Sequence, residues 1–268
     1  MLFNADRDKC TLCGDCMKAC PRYIVKPDED GYPEVSPDEE WYCIRCSHCV
    51  INCRFQAANL SFYKWEDAAD LSSYDFPSED EARRLICTRR STRSFRSDII
   101  GDETLKKLMD MTRYAPSASN KQPLRWIVVQ KKETMAELKR LYEENLKVDS
   151  GIITDKRYAV QEDQIKAGLD PEFRGAPMLV IALVPLSHEW YEDAPIALSY
   201  FELSAHSMGI GTCWAGFITR ALRKNQRMRS LLGIGDDEWV GGATLFGYPY
   251  LRNPDRLPLK KELEIDIR

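Results

Sequence analysis

Eight of the ten cysteines fall within the first 53 residues, and their spacing is what gives them chemistry. Cys10, Cys13, Cys16 and Cys20 follow C-x2-C-x2-C-x3-C, with Pro21 next, and Cys43, Cys46, Cys49 and Cys53 repeat the same intervals. Three thiolates, each two residues from the next, can line one concavity and meet three corners of a cubane iron–sulfur cage. The fourth cysteine of each run lies too far along the chain to close the same loop. Structural zinc uses two C-x2-C knuckles per ion, which leaves the third cysteine at the same interval, twice over, without a purpose. A disulfide framework belongs to small secreted chains. Here residues 1–9 carry four charges and no apolar run, so the segment does not read as a secretory leader, and the clustered cysteines read as ligands. Cys213, between Thr212 and Trp214, reads as a core residue, and Cys87 has no cysteine near it and receives no role.

Residues 1–65 lack long apolar periodicity and are too few to fold around a hydrophobic core without a staple. Over this stretch the chain closely resembles the bacterial two-cluster ferredoxins, in which the fourth cysteine of each run ligates the other cluster. The resemblance implies one [4Fe–4S] cluster on Cys10, Cys13, Cys16 and Cys53 and a second on Cys43, Cys46, Cys49 and Cys20. That crossing would tie the two halves together. Arg54 stands where that family commonly has proline after the last cysteine, and a cation beside one cluster implies that the two differ in potential.

A second group of residues suits an anion. Arg89, Arg90, Arg93 and Arg96 fall within eight residues, with Ser91 among them. Arginine forks onto phosphate and keeps its charge at any working pH, although such a run by itself also describes a solvated basic face. Further on, residues 115–123 (Ala-Pro-Ser-Ala-Ser-Asn-Lys-Gln-Pro) form a proline-bounded polar loop. Its short side chains can donate to a ring carbonyl or a phosphate, or simply make a turn.

The elements that must position these groups follow from periodicity. Composition changes near residue 75, and an acidic, serine-containing tract at 66–83 reads as a linker into a domain over 84–268. Ser78-Glu-Asp-Glu81 spells a capping box. Helices are expected from Asp102 as cap, with Leu105, Leu108, Met109 and Thr112 inward, to an end before Pro116, and over 133–146, 193–208 and 221–232; strands are expected over 126–130, 178–184 and 240–247. The helix over 193–208 is mostly apolar, carries Pro195 in its first turn and Gly209 past its end, and is expected to be buried, with His206 as a core histidine. The pattern is α+β or α/β. Gly209-Ile-Gly211 lacks a third glycine and follows a helix, so it is no dinucleotide fingerprint.

Composition sets outer bounds. The 268 residues suit one large or two unequal domains, and 44% apolar content can bury a core. A net charge of −4 with no long basic run argues against nucleic acid. The most apolar stretch, 178–184, is far short of a bilayer span, and a cytoplasmic protein is the default.

Residues 84–258 together resemble the nitroreductase family of FMN enzymes. The likeness rests on Arg-Arg-Ser-Thr-Arg at 89–93, Pro-Ser-Ala-Ser-Asn-Lys-Gln-Pro at 116–123, Gly-Ile-Gly-Thr-Cys-Trp at 209–214 and Gly-Tyr-Pro at 247–249, in that order. It implies an entwined homodimer with FMN in the subunit interface and, with the ferredoxin likeness, the fold class α+β, a small cysteine-rich module fused to an α/β sandwich. Arg89 would hold the phosphate with Ser91 in support, Arg90 would belong to the cofactor-binding set, and Arg93 would lie near the pyrimidine edge of the flavin. Pro116, Ser117, Ala118, Asn120 and Gln122 would reach in from the second subunit. Ile210, Gly211 and Thr212 would offer backbone contacts, and Arg252 and Arg256 would complete the phosphate site. Leu124 stands where the family commonly has tryptophan, and Trp126 comes two residues later.

The combination implies an oxidoreductase that passes electrons from clusters to FMN and on to an organic acceptor: a nitroaromatic, a quinone or an activated alkene. Reduced ferredoxin or NAD(P)H would be the donor. No protein nucleophile or acid–base set is required, in keeping with a chain of only three histidines. Two rivals share the same cofactors: an FMN-dependent reductive dehalogenase, and an electron-transfer or redox-sensing protein that acts on a protein partner. Charged residues between Lys147 and Arg174 read as an irregular lid over the acceptor pocket.

Overall fold

A computed structural model describes residues 1–71, 73–147, 155–251 and 256–268. The chain forms two compact units. The first comprises Met1–Phe76 with Ser119–Lys121, and the second Pro77–Ala118 with Gln122–Arg268.

The first unit is built on very short elements: β1 (Phe3–Ala5), α1 (Asp15–Ala19), β2 (Lys26–Pro27), β3 (Pro33–Glu34), α2 (His48–Ile51) and β4 (Ala58–Leu60). β1 and β4 pair antiparallel, Phe3 opposite Leu60, which joins the ends of the module, and β2 pairs with β3. Its core holds Phe3, Ile24, Val25, Val35, Val50 and Leu60, with Cys16 and Cys20 buried among them. The duplication seen in the cysteines extends to the backbone. Leu12, Gly14 and Tyr23 have φ of 57°, 76° and 55°, and Arg45, Ser47 and Gln56, 33 positions later in each case, have φ of 54°, 61° and 51°. Left-handed residues beside right-handed ones turn successive amides toward one concavity, an arrangement that favours an anionic group. Both cysteine loops are thus bent the same way despite different side chains.

The second unit centres on a four-stranded antiparallel sheet in the order β5-β6-β8-β7. Its elements run α3 (Glu79–Thr88), α4 (Asp102–Thr112), β5 (Arg125–Val129), α5 (Lys132–Lys147), α6 (Asp155–Lys166), β6 (Met178–Pro185), α7 (Asp193–Ser207), β7 (Gly211–Trp214), α8 (Gly216–Lys224), α9 (Gln226–Leu232) and β8 (Glu238–Gly247). β6 reads as an unbroken apolar run because both its faces are covered. Met178, Val180, Ala182 and Val184 pack with Leu108 of α4 and Ala194, Leu198, Phe201 and Ala205 of α7. Leu179, Ile181 and Leu183 pack on the other side with residues of α5, α8 and α9. Side chains alternate across a strand, so one strand serves both layers. α7 presses close to β8. A Cβ at Gly242 would lie 2.6 Å from Leu198 Cδ1, and one at Gly241 would collide with Ala194.

Several expectations change. The helix expected over 221–232 is two helices, because the Asn225 side chain caps the second by accepting from Arg227 N and Met228 N at 2.9 and 3.1 Å. Gly101 occupies the cap position of α4, and Asp102 is its first helical residue. β7 is a strand that periodicity does not announce, being only four residues long. Within the segment expected to be irregular, α6 forms, and residues 148–154 lie outside the described residues. α7 buries one face only, since Ile196 and Tyr200 are exposed. The capping box on α3 is present: Ser78 Oγ accepts from Glu81 N at 3.2 Å and the Glu81 carboxylate accepts from Ser78 N at 2.9 Å. Residues 256–268 carry no regular structure and expose Leu259, Leu263, Ile265 and Ile267. Among the described residues no helix is long and apolar enough to cross a membrane.

Candidate cofactor sites

The cysteines of the first unit line two separate recesses. One, of about 360 Å³, is lined by Cys10, Cys13, Cys16 and Cys53, and by Leu12, Gly14, Phe55 and Ala57. The other, of about 380 Å³, is lined by Cys43, Cys46, Cys49 and Cys20, and by Pro21, Ile24, Val25 and Val35. Each recess draws three cysteines from one run and the fourth from the other run, which is the crossed grouping. Among the described residues no three cysteine, histidine or acidic side chains converge as they would on a single ion. The cysteines stand around a space, as the terminal ligands of a cage must.

The electrostatics of the two sets fit the same group. Burial pushes the Cys16 thiol up to about 11, with Cys53, Cys10 and Cys13 adding to the rise. Burial likewise pushes Cys49 up to about 12, helped by Cys20, Cys46 and Cys43. Thiolates gathered in one recess repel one another, and a cationic centre bound among them would make the ionised form favourable. Backbone amides already face two of the sulfurs: Ala57 N donates to Cys53 Sγ at 3.3 Å and Arg45 N to Cys43 Sγ at 3.4 Å. Such bonds lower the negative charge felt at a cluster. Arg54 is exposed, and the Arg45 guanidinium lies over the Phe62 ring at 4.0 Å.

In the second unit the basic segment leaves α3 and runs beside β7 and the end of β8. Ser91 bridges Thr212, Thr92 N donates to Thr212 O at 2.7 Å, and Arg96 N donates to Tyr248 O at 2.9 Å. Gly211 permits this fit, since a Cβ there would run into Thr92. A recess of about 360 Å³ results, lined by Arg89, Arg90, Thr92, His206, Gly209, Ile210, Gly211 and Thr212. The Glu202 Oε1, buried without a hydrogen-bond partner, lies 3.9 Å from Arg89 Nη1, a long ion-pair contact. His206 is therefore not a core residue, as expected from sequence, but part of the lining. Its Nε2 lies 2.7 Å from Thr88 Oγ1, whose own proton goes to Arg84 O, so the imidazole is the donor. Burial, with Arg89 nearby, holds the His206 pKa below its ordinary value. Cys213 is buried as expected, and Cys87 is exposed.

The polar loop sits at the other end of α7. Ala118 N donates to both carboxylate oxygens of Asp193, the first residue of α7, at 3.0 and 3.2 Å. Ser117 Oγ accepts from Gln122 N at 2.9 Å. Asn120 belongs to the first unit, where its side-chain amide donates to Ile44 O and Arg45 O at 3.2 and 3.1 Å. Within one chain, then, Arg89, Arg90, Ser91, Ile210, Gly211 and Thr212 come together. Pro116, Ser117, Ala118 and Gln122 do not join them; a 15-residue helix, about 22 Å long, stands between. Arg93 and Arg256 are exposed, and Arg252 lies outside the described residues. Sequence reasoning missed Asp193 and His188, which form a buried pair with Nε2 to Oδ2 at 2.8 Å; a polar pair flanking an apolar helix gave no periodic signal.

Comparison with known proteins gives the same division. Residues 2–54 match the model of the 4Fe-4S dicluster domain, and residues 86–248 that of the Nitroreductase family. A protein of Archaeoglobus fulgidus, whose name pairs NADH dehydrogenase with NAD(P)H nitroreductase, is 28% identical over 68% of this chain and 99% of its own length. A solved nitroreductase with bound FMN from Desulfitobacterium hafniense is 25% identical, with a TM-score of 0.56 over 68% of this chain and 97% of that one. Another from Bacteroides fragilis, at 22% identity and a TM-score of 0.57 over 70% of this chain and 98% of that one, shares the fold. Both matches and both sets of geometry lead to one statement: the chain belongs to the nitroreductase family and carries a 4Fe-4S dicluster domain at its N-terminal end.

Proposed function

We propose that the protein is an FMN-dependent oxidoreductase in which two [4Fe–4S] clusters feed the flavin, and the flavin reduces an organic acceptor such as a nitroaromatic, a quinone or an activated alkene. The carrying observation is the pair of four-cysteine recesses, each completed by a cysteine from the opposite run, in a chain whose remainder belongs to a flavin enzyme family. When bound, clusters supply electrons singly, whereas FMN supplies them in pairs as hydride.

The residues of this chain have defined tasks in that reading. Cys10, Cys13, Cys16 and Cys53 hold one cluster and Cys43, Cys46, Cys49 and Cys20 the other. Arg89 and Arg90 hold the FMN phosphate, with Ser91 and the His206 imidazole beside them. Arg93 offers a fixed cation for the pyrimidine edge, where negative charge gathers on reduction. Ile210, Gly211 and Thr212 present backbone. Pro116, Ser117, Ala118 and Gln122 serve the flavin of a second copy, because they stand a helix length from their own phosphate recess. Arg252 and Arg256 are the C-terminal candidates for the phosphate. Asn120 is left out of the flavin set, since its amide is engaged by the 43–46 loop.

A homodimer is part of the proposal. The exposed Ile196 and Tyr200 on α7, and the alternating Leu263, Ile265 and Ile267 of the C-terminal segment, are apolar surface that a second copy would cover. The solved relative with bound FMN supports the choice of flavin. Reduced ferredoxin is the preferred donor because the clusters accept single electrons, with NAD(P)H as the competing donor, and a cytoplasmic setting is part of the proposal because a reducing compartment keeps eight cysteines available as ligands.

The test is anaerobic purification with iron, sulfide and flavin quantified, and electron paramagnetic resonance of the dithionite-reduced protein. About eight irons, eight sulfides and one FMN per chain are expected. A colourless protein holding zinc and no flavin would overturn the proposal.

A further inference from the structure

Asp193 and His188 lie outside the cofactor-lining residues, yet both are buried, at 4% exposure each. Their contact, His188 Nε2 to Asp193 Oδ2 at 2.8 Å, places a carboxylate and an imidazole in the interior at the head of α7. Apolar replacements of a buried ion pair are frequently as stable or more so, which directs attention to what the bonds of this one do. The other bonds of Asp193 identify that task. Both of its oxygens accept from one backbone donor, Ala118 N, at 3.0 and 3.2 Å. Ala118 ends the Pro116–Ala118 stretch, after which the chain enters an unfavourable conformation: Ser119, Asn120 and Gln122 have φ of 51°, 53° and 47° without being glycine. Residues of that kind persist only where neighbouring bonds hold them, and they collect at functional sites. Ser117 Oγ, taking the Gln122 N–H at 2.9 Å, closes the loop at its far end. The loop is therefore held at two points, and the inner one is the Asp193 side chain, seated against the His188 imidazole at the N-terminal end of a 15-residue helix.

We propose that Asp193, oriented by His188, is a positioning residue that locks the Pro116–Ala118 segment in the conformation that meets the flavin. The inference rests on the flavin reading above. Without the carboxylate the loop would sample relaxed conformations, and binding would have to select the competent one.

The test compares D193A and Asp193→Asn in the full-length, anaerobically prepared chain. FMN dissociation constants are measured on apoprotein by fluorescence titration, visible circular dichroism is recorded for the bound flavin, and melting temperatures are taken for the apo forms. D193A should bind FMN about tenfold more weakly and give an altered visible dichroism of the bound ring. Asp193→Asn keeps an oxygen for Ala118 N and should restore affinity to within about threefold of wild type. A merely structural role would lower the melting temperatures and leave affinity and dichroism as they are; that result overturns the proposal, as does equal weakening in both variants. If D193A does not fold, Asp193→Ser, too short to reach Ala118, carries the same expectation. A wild-type chain that binds no FMN overturns the flavin reading and this proposal with it, whereas FMN binding that is identical in wild type and D193A overturns this proposal alone.

Discussion

The N-terminal unit carries its reactive groups on loops a few residues long, whereas the C-terminal unit spreads them over both ends of a helix and the edge of a sheet. In the first, every ligand lies within three or four residues of another, and the backbone repeats its left-handed turns 33 positions apart, from Leu12 to Arg45, Gly14 to Ser47 and Tyr23 to Gln56. Regular structure is minimal there, and the ligands themselves sit in the core, as Cys16 and Cys20 do. In the second, no two stretches that make up the recess proposed for the FMN phosphate are adjacent in sequence. Residues 89–92 meet 206–212 only because β7 lies beside β8 and α7 packs on the glycines of that strand. A cluster site can be built by spacing alone. The recess of the second unit depends on a sheet and two layers of helices, and on the proposed reading a flavin there would also need a second copy of the chain.

This contrast can be broken by experiment. The largest effect is expected from a Cys16→Ser, Cys49→Ser double variant. It should lose nearly all iron and sulfide and, with them, the fold of the first unit, since a module so small lacks the apolar burial to stand without its staples. Flavin content should be unchanged, and a parallel loss of FMN would erase the distinction between the units. Next in size is Phe201→Ala. Phe201 is fully buried against Phe246, with ring centroids 5.2 Å apart, and its truncation should cost about 3–5 kcal/mol in a denaturant melt while iron per chain stays constant. Arg89→Ala removes a charged fork from the recess proposed for the FMN phosphate. FMN should bind on the order of 30-fold more weakly by titration, corresponding to about 2 kcal/mol, with iron untouched; iron loss here would contradict the division. Ser78→Ala, at the capping box of α3, should shift stability by only about 1 kcal/mol in thermal unfolding and leave both cofactors in place.

What could be read from the chain followed the same line. Features set by neighbours in sequence were legible: the cysteine runs, the Ser78–Glu81 box, the amphipathic α4 and α5, and the apolar β6. Features set by distant packing were not. β7 has four residues and owes its existence to pairing with β8, so no alternation announced it. Asn225 lay inside an apparently continuous helical pattern, and only its cap geometry separates α8 from α9. The apolar neighbours of His206 suggested the core, yet the residue lies near the end of α7, where the chain turns toward the recess. Asp193 and His188 are five residues apart and look like ordinary surface polarity until Ala118, 75 positions away from Asp193, comes to meet them. The crossed cysteine grouping came from likeness to a family, and its geometric counterpart is the lining of the two recesses.

The claim that clusters feed flavin is tested most directly by anaerobic stopped-flow reduction of the bound FMN, with reduced ferredoxin as donor, in the wild-type chain and in the Cys16→Ser, Cys49→Ser variant. The account predicts rapid bleaching of the flavin absorbance in the wild type and almost none in the variant, although both carry FMN. Equal rates in the two proteins, or fast reduction of the variant by NAD(P)H alone, would contradict it.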